Sequence, residues 1–336
     1  MRRFRLVRVL CGFCNRWGAG MAVPEISEFS YGFSLTNELV RWLELSAAPI
    51  FPSLIEEGGP GGGFDVKLDR PGAPLYLQFK RSECMFRRSA REWKAIVGAG
   101  GDLNLPYYRF AITEALKSDQ HELLLALDVA PNLVFYAAPR FHEISEINAA
   151  WHASAVSARS VFVAPSEIGS LDDDRHSVAF DGARTWICSE PRRIRALTSR
   201  DLLEKIQGAL DHDDRPLGER LPEIAEQLRR AEVRGRDRAA AKRREAERRR
   251  EEAQAALRRP SDALGDAFSQ DLMIPVERAL PRAAIDFSAL EAPEPRPPLI
   301  RAQEDASPER RLLSQMADHA ARVFDAQLIF VQAGDA

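Results

Sequence analysis

The chain has 336 residues, of which 45% are apolar and 29% are charged, and its formal net charge is −3. These proportions are typical of globular proteins and exclude a wholly disordered chain, a collagen-like fibre and a disulfide scaffold. A chain of this length suits two domains, or one domain with appendages. It contains no run of about 18 apolar residues, so we expect no membrane-spanning helix.

Cysteine usage and the N-terminal residues both bear on the cellular compartment. The four cysteines are Cys11, Cys14, Cys84 and Cys188. One Cys-x-x-Cys pair and two solitary cysteines make no disulfide framework, which favours a reducing cytoplasm. The first 20 residues carry five arginines and no acid, without the apolar core and cleavage site of a signal peptide. We therefore interpret residues 1–21 as a disordered or non-native start of a cytoplasmic protein.

Composition divides the rest of the chain into four zones. Residues 22–190 hold most of the aromatic residues and many short apolar runs, which predicts an α/β domain. Residues 191–259 predict a charged helical extension. Residues 260–311 are proline-rich and predict a linker, and residues 312–336 form an apolar tail.

Within residues 22–190, apolar periodicity and turn residues predict a series of elements. In chain order these are a helix at 34–45, strands at 50–57, 64–68 and 74–80, a hairpin formed by 121–128 and 132–138, a helix at 146–154 and a strand at 160–165. The Pro-Gly in residues 69–73 predicts a further hairpin between strands 64–68 and 74–80. We expect a mixed sheet of about four or five strands, flanked by helices.

The segment 219–259 contains 14 basic and nine acidic side chains, with strong helix formers and opposite charges four residues apart. Its larger apolar residues, Leu221, Ile224, Leu228 and Val233, are followed mostly by alanines. A stable coiled coil needs apolar positions through about three or more heptads. The pattern favours a solvated charged helix, and leaves open a helix that follows phosphates or packs in a dimer.

The most informative stretch is 58–83, where a glycine cluster precedes two predicted strands. Asp65 lies in the first strand, and Gln78 and Lys80 lie at the end of the second, with 12 residues between Asp65 and Gln78. Alternate residues of a strand face the same side, so Gln78 and Lys80 are expected to point together. Across a hairpin, Asp65 can lie beside them. Otherwise these residues are a turn acid and the polar face of a half-buried strand.

An aspartate, an amide oxygen and a lysine at one place suit metal-dependent hydrolysis of a phosphodiester. Asp65 and Gln78 offer hard oxygen ligands for Mg²⁺ or Mn²⁺. The metal neutralises charge on the phosphate and polarises a water molecule. Lys80 can stabilise the attacking hydroxide or the transition state.

This pattern, D-xn-(E/Q)-x-K after a glycine-rich segment, resembles the signature of the PD-(D/E)XK restriction-endonuclease-like superfamily. The variant with Gln is most similar to its Mrr-like branch. The matching residues are Gly62, Gly63, Asp65, Gln78, Lys80 and Arg81. The resemblance implies a restriction-endonuclease-like fold and a bacterial restriction or phage-defence role. It also implies a supplementary acid before the strands, for which Glu38 and Glu57 are the two candidates.

The basic residues after Lys80 indicate either contacts with nucleic acid, because basic side chains at high density neutralise phosphates, or the solvated face of a helix. They are Arg81, Arg87, Arg88, Arg91 and Lys94. We expect a Mg²⁺-dependent nuclease that hydrolyses DNA. One alternative is an inert relative of that fold that binds nucleic acid or recruits a protein partner through 219–259 or 312–331. Another is a metal-independent nucleic-acid binder.

Overall fold

The computed structural model describes residues 21–42, 68–172, 175–257 and 308–332, which form an α/β structure. The helices are α1 (Glu28–Trp42), α2 (Arg91–Gly98), α3 (Gln120–Leu127), α4 (Ile144–His152), α5 (Pro165–Ile168), α6 (Ser199–His212), α7 (Leu217–Leu257) and α8 (Pro308–Phe324). The strands are β1 (Met21–Ala22), β2 (Ala73–Phe79), β3 (Glu83–Met85), β4 (Tyr107–Ile112), β5 (Leu133–Pro139), β6 (Ser160–Val163), β7 (His176–Phe180), β8 (Thr185–Ile187), β9 (Arg192–Ile194) and β10 (Gln327–Val331).

Four strands form a mixed sheet in the order β10-β2-β5-β6. The β2–β5 pair is parallel, and the two outer pairs are antiparallel. β2 is buried along nearly its whole length, because helices cover both faces of this sheet. Its sequence is therefore almost continuously apolar, as expected for a strand that is buried on both faces.

A second sheet of six strands is antiparallel throughout, in the order β1-β3-β4-β7-β8-β9. The sequence predicted one mixed sheet flanked by helices, and the mixed sheet, the helices and a C-terminal helix are all present. The second sheet was not predicted. Strands β3, β8 and β9 have three residues each, which is too short for an alternating pattern to be recognised.

Alternate residues of β2 enter two different cores. Tyr76 packs with α3, α7, α8 and the antiparallel sheet. Leu75 and Leu77 pack on the opposite face with Leu35 of α1 and Leu202 of α6. This alternation fixes which face of the mixed sheet each polar residue at the end of β2 can reach.

Two predicted hairpins are wrong. The segment 121–128 belongs to helix α3 and is not a strand. The prediction failed because six of the eight residues of α3 are buried, so its sequence shows no amphipathic period that would distinguish a helix from a strand. The pairing of 64–68 with 74–80 fails because β2 pairs with β10 along one edge and with β5 along the other. A strand has only two edges, so residues 75–77 have none left. Residues 50–57 and 64–67 themselves lie outside the described ranges.

Other predicted elements are confirmed within a few residues. α1 begins six residues before the predicted helix at 34–45, α4 matches the helix at 146–154, and β6 matches the strand at 160–165. β5 matches the strand at 132–138. The two helices have a helical period, and the two strands are short apolar runs rich in valine and aromatic residues, which local patterns can identify.

The charged helix α7 is one continuous element that packs against α3 and α8. Its buried contacts after Leu228 are small residues, Ala231, Gly235, Ala239 and Ala246, while Val233 is 61% exposed. The apolar tail forms α8 and β10, whose Met316 and Phe324 are buried in the core of the same chain. Residues 258–307 lie outside the described ranges. No helix in the part of the chain that the structure describes is long and apolar enough to cross a membrane.

Candidate functional site

Gln78 and Lys80 lie side by side at the carboxyl end of β2. Their exposed fractions are 2% and 8%. The Lys80 N–H donates to the Ala137 carbonyl at 2.9 Å, which extends the parallel β2–β5 ladder by one residue. Phe79 turns to the other face, where its ring meets that of Tyr31 with centroids 5.9 Å apart. Strand alternation therefore gives Gln78 and Lys80 a common face, as the sequence predicts.

Two further side chains close a hydrogen-bonded cluster around this end of β2. Lys80 Nζ donates to Gln120 Oε1 at 3.1 Å, and Gln120 Nε2 donates to Asp325 Oδ2. Gln78 Nε2 donates to the same Asp325 oxygen at 3.3 Å. We call Gln78, Lys80, Gln120 and Asp325 the β2-end cluster. Its members come from β2, the first residue of α3 and the turn between α8 and β10.

Sequence reasoning missed Gln120 and Asp325. Asp325 is 247 residues from Gln78 along the chain, and it reaches the cluster because β10 pairs antiparallel with β2. The periodicity of 308–331 offers the one usable signal, a helix followed by a strand with Asp325 at the junction. Nothing in the sequence says which sheet this strand joins.

Burial changes the acid–base chemistry of Lys80. Removal of the ammonium from water lowers the pKa of Lys80, and the negative charges of Glu28 and Asp325 oppose that shift. The ammonium lies 5.7 Å from the centroid of the Tyr136 ring. A lysine in this environment gives up its proton more readily than a surface lysine.

Gln78 has an unsatisfied polar atom. Its Oε1 is buried and has no hydrogen-bond partner, while its Nε2 donates to Asp325. An unpaired buried carbonyl oxygen costs on the order of 1–3 kcal/mol, so such atoms are rare in folded proteins. Its position beside a carboxylate and a lysine makes it a candidate ligand atom.

A cavity of about 490 Å³ adjoins the cluster and shares Gln120 and Asp325 with it. Four cationic side chains line it, against two carboxylates. The cations are Lys117, Arg236, Arg243 and Arg322, and the acids are Asp119 and Asp325. They come from the residues before α3 and from the facing sides of α7 and α8.

Each cation of the cavity has a carboxylate partner within the chain. Arg243 pairs with Asp119, and the others pair with Glu114, Glu232 and Asp318 at 2.6–2.7 Å. Three of these cations are more than half exposed, namely Lys117, Arg236 and Arg322. Exposed ion pairs stabilise by about 0–1 kcal/mol, so an incoming phosphate can replace the carboxylates at low cost.

Glu38 does not join the cluster. It lies on α1, which packs against the Leu77 face of the mixed sheet. Its buried carboxylate accepts hydrogen bonds from the Val156 N–H at 2.7 Å, from the Ser157 N–H at 3.3 Å and from the Ser157 hydroxyl. These contacts tie α1 to the loop before β6. The candidates Asp65 and Glu57, with Gly62 and Gly63, lie outside the described residues.

The predicted phosphate-binding residues lie on the surface. All five are exposed, namely Arg81, Arg87, Arg88, Arg91 and Lys94. They lie between the end of β2 and the middle of helix α2, on either side of strand β3. Arg81 follows Lys80 directly in the sequence, and its backbone N–H donates to Glu28 Oε1 of α1 at 3.4 Å. The Arg88 guanidinium lies 5.7 Å from the Trp93 ring centroid.

Within the described ranges, no three His, Cys, Asp or Glu residues are grouped so that they could hold a metal ion. No family model, curated protein or solved structure matches the chain. Inferences about function therefore depend on the geometry of the β2-end cluster and its cavity.

Proposed function

We propose that the protein is a Mg²⁺-dependent nuclease that hydrolyses DNA phosphodiester bonds at the β2-end cluster. The observation that carries the proposal is the buried Lys80 in one hydrogen-bonded cluster with Gln78, Gln120 and Asp325, the last two of which line a cavity together with four cations. A lysine and oxygen ligands next to an anion-binding surface are what hydrolysis of a phosphodiester requires. A role in restriction or phage defence is the biological setting that the sequence resemblance implies.

Two side chains of the cluster have oxygen atoms that suit a hard divalent cation as ligands. Gln78 Oε1 is buried without a partner, and Asp325 supplies a carboxylate. Mg²⁺ is commonly held by one or two carboxylates together with water and substrate phosphates, so a small protein ligand set suffices. When bound, such a cation supplies a Lewis acid and an activated water. Asp65 and Glu57 remain the further ligands that the sequence predicts.

Lys80 would act on charge that develops during hydrolysis. Its ammonium is desolvated, and a fixed charge in a buried site stabilises a transition state more strongly than one in water. Gln120 holds the ammonium through its Oε1, which limits the directions in which Lys80 can point.

The cavity would bind the DNA backbone. Its cations lie beside the cluster, and the exposed basic residues of 81–94, which follow Lys80 in the sequence, are a second candidate surface for phosphates. Each phosphate neutralised by a cation releases counterions, so binding should weaken steeply with salt.

One observation favours a second candidate, a catalytically inert module that binds nucleic acid or a protein. The Asp325 carboxylate already accepts hydrogen bonds from Gln78 and Gln120, so its charge is partly satisfied within the chain. This candidate keeps DNA binding through the cavity but predicts no hydrolysis.

The test is cleavage of plasmid and linear DNA with Mg²⁺, Mn²⁺ or EDTA. Removal of a single transition-state contact costs about 10²–10³ in rate, so Lys80→Ala should lose at least that much. The matched control is Lys205→Ala, which removes an exposed lysine of α6, on the opposite face of the mixed sheet. Cleavage that survives Lys80→Ala would refute the site. Salt-sensitive DNA binding without cleavage in the wild type would establish the inert module.

A further inference from the structure

We propose that Ser189, His176 and Asp172 form a nucleophilic triad that hydrolyses acyl esters, an activity separate from the proposed nuclease. His176 is the first residue of β7, and Ser189 lies in the turn between β8 and β9. Asp172 lies four residues before His176. The triad is built on the antiparallel sheet, and it shares no residue with the β2-end cluster or its cavity.

Strand register brings Ser189 and His176 together. β7 pairs antiparallel with β8, and the Cys188 N–H donates to the Ser177 carbonyl at 2.9 Å, which continues the ladder one residue beyond β8. One residue further, Ser189 lies opposite His176. Because hydrogen-bonded and non-hydrogen-bonded pairs alternate, this pair is of the second kind, whose side chains share a face and approach most closely.

The three side chains are in contact in series. The Ser189 hydroxyl lies 2.5 Å from His176 Nδ1. On the other side of the ring, His176 Nε2 lies 2.8 Å from Asp172 Oδ1 and 3.3 Å from the Asp172 main-chain oxygen. A nucleophile beside a base that a third group holds in place is the arrangement that nucleophilic catalysis requires.

The contacts of His176 determine which nitrogen carries the proton of the neutral ring. Both oxygens next to Nε2 belong to Asp172, and a carboxylate or carbonyl oxygen only accepts hydrogen bonds. Nε2 therefore donates, and Nδ1 is the acceptor to which the Ser189 hydroxyl donates. In this protonation state the imidazole can remove the serine proton.

Exposure differs along the triad in the way that the reaction requires. His176 is 2% exposed, so packing holds its ring and shields its hydrogen bonds from water. Ser189 is exposed, so an ester can reach its hydroxyl from solvent. The neighbouring thiol does not compete as a nucleophile, because burial raises the pKa of Cys188 to about 12 and keeps it protonated.

In the reaction, the Ser189 oxygen would form a bond to the acyl carbon while its proton passes to His176 Nδ1. The carbon–oxygen bond of the ester then breaks, and the leaving alcohol takes that proton. Water repeats both steps on the acyl-serine, which releases the acid and restores the hydroxyl. Asp172 is a positioning residue that holds the ring and stabilises the imidazolium. None of these steps uses a metal ion, so EDTA should leave the rate unchanged.

The experiment is hydrolysis of p-nitrophenyl acetate by the full chain in EDTA, with the acetylated residue located by mass spectrometry of peptides. The wild type should release nitrophenolate above the spontaneous rate and carry acetyl on Ser189. Ser189→Ala and His176→Gln should each lower the catalysed rate by at least about 10²-fold. The matched control is Ser145→Ala, which removes an exposed hydroxyl that donates to Glu143 Oε2 instead of a histidine. That variant should keep the wild-type rate.

The role of Asp172 has its own test. Asp172→Asn should slow acetylation of Ser189 by at least about tenfold, because the charge that stabilises the imidazolium is lost. Asp172→Glu returns a carboxylate and should restore most of the rate, which a merely structural role of Asp172 would not predict. An unchanged rate in Asp172→Asn would overturn the triad.

The proposal is also overturned by equal rates in Ser189→Ala and the wild type, by acetylation only at other residues, or by no release of nitrophenolate above the spontaneous rate. A wild-type rate in folded His176→Gln would have the same consequence. If His176→Gln does not fold, Ser189→Ala decides, because its side chain is exposed and its loss leaves the core intact.

Discussion

Gly235 of α7 sets how closely α7 approaches α3, and so where the cluster's Gln120 lies. A Cβ added at Gly235 would meet the Leu123 Cα at 2.6 Å and the Leu123 nitrogen at 3.0 Å. These are backbone atoms of α3, which cannot move aside as a side chain can. Gly235→Ala must therefore push α3 away from α7 by roughly 1 Å to restore ordinary contact distances of about 3.5–4 Å.

The expected change in the free energy of unfolding combines two opposing effects. Alanine is favoured over glycine inside a helix by about 1 kcal/mol. Overpacking of a core contact costs about 1–3 kcal/mol, and the upper end applies because the clash involves backbone. The net expectation is a destabilisation of about 2 kcal/mol for Gly235→Ala. Since α3 begins at Gln120, the displacement should also weaken the Lys80–Gln120 contact.

The matched control is Gly208→Ala in α6, where an added Cβ has no atom within 4 Å. That substitution should stabilise the protein by about 0.5–1 kcal/mol, because it removes freedom from the unfolded chain and favours the helix. Urea unfolding of both variants at one pH measures the difference, expected near 3 kcal/mol. Equal stability of the two variants would refute the close packing of α3 on α7.

Three further predictions concern the buried acid, the buried histidine and the cavity. Burial lowers the pKa of His121 to about 4, against about 6.5 in the unfolded chain. Between these pKa values the unfolded state binds a proton that the folded state does not, so the free energy of unfolding falls as the pH falls. From pH 7 to 5 the wild type should lose about 2 kcal/mol more than His121→Gln in urea unfolding. Parallel pH profiles of the two proteins would contradict this expectation. Glu38→Gln should lower the free energy of unfolding by about 1–3 kcal/mol, because it leaves buried hydrogen-bond donors unpaired, and it should leave the Mn²⁺ affinity unchanged. Loss of Mn²⁺ affinity in a stably folded variant would instead place Glu38 in the site. Arg322→Gln should weaken DNA binding and reduce the slope of the logarithm of the DNA-binding constant against the logarithm of salt concentration by about 0.9. If Arg87→Gln has this effect and Arg322→Gln does not, the surface of residues 81–94 binds DNA and the cavity does not.

Local sequence pattern determined the parts of the structure that depend on one element at a time. The period of two along β2 gave Gln78 and Lys80 a common face, and the helical periods of α1 and α4 were strong enough to locate those helices. In α1 and α4 one face packs on a core and the other does not, whereas β2 enters cores on both faces, so strand alternation alone assigns its residues to a face. Periodicity then records the packing before the partner is known.

Tertiary structure alone decided α3 and the pairing of β2. α3 is buried on nearly all sides between α7, α8 and the sheets, so its apolar run has no period that distinguishes a helix from a strand. The edge of β2 that a local hairpin would have taken is occupied by β10, from the other end of the chain. Chain connectivity gives no information about which distant strand fills an edge, because the backbone hydrogen bonds are the same for any partner. The residues of the β2-end cluster divide in the same way between local pattern and tertiary pairing. Strand alternation in the sequence predicts the common face of Gln78 and Lys80, whereas Asp325 is their neighbour only because β10 pairs with β2.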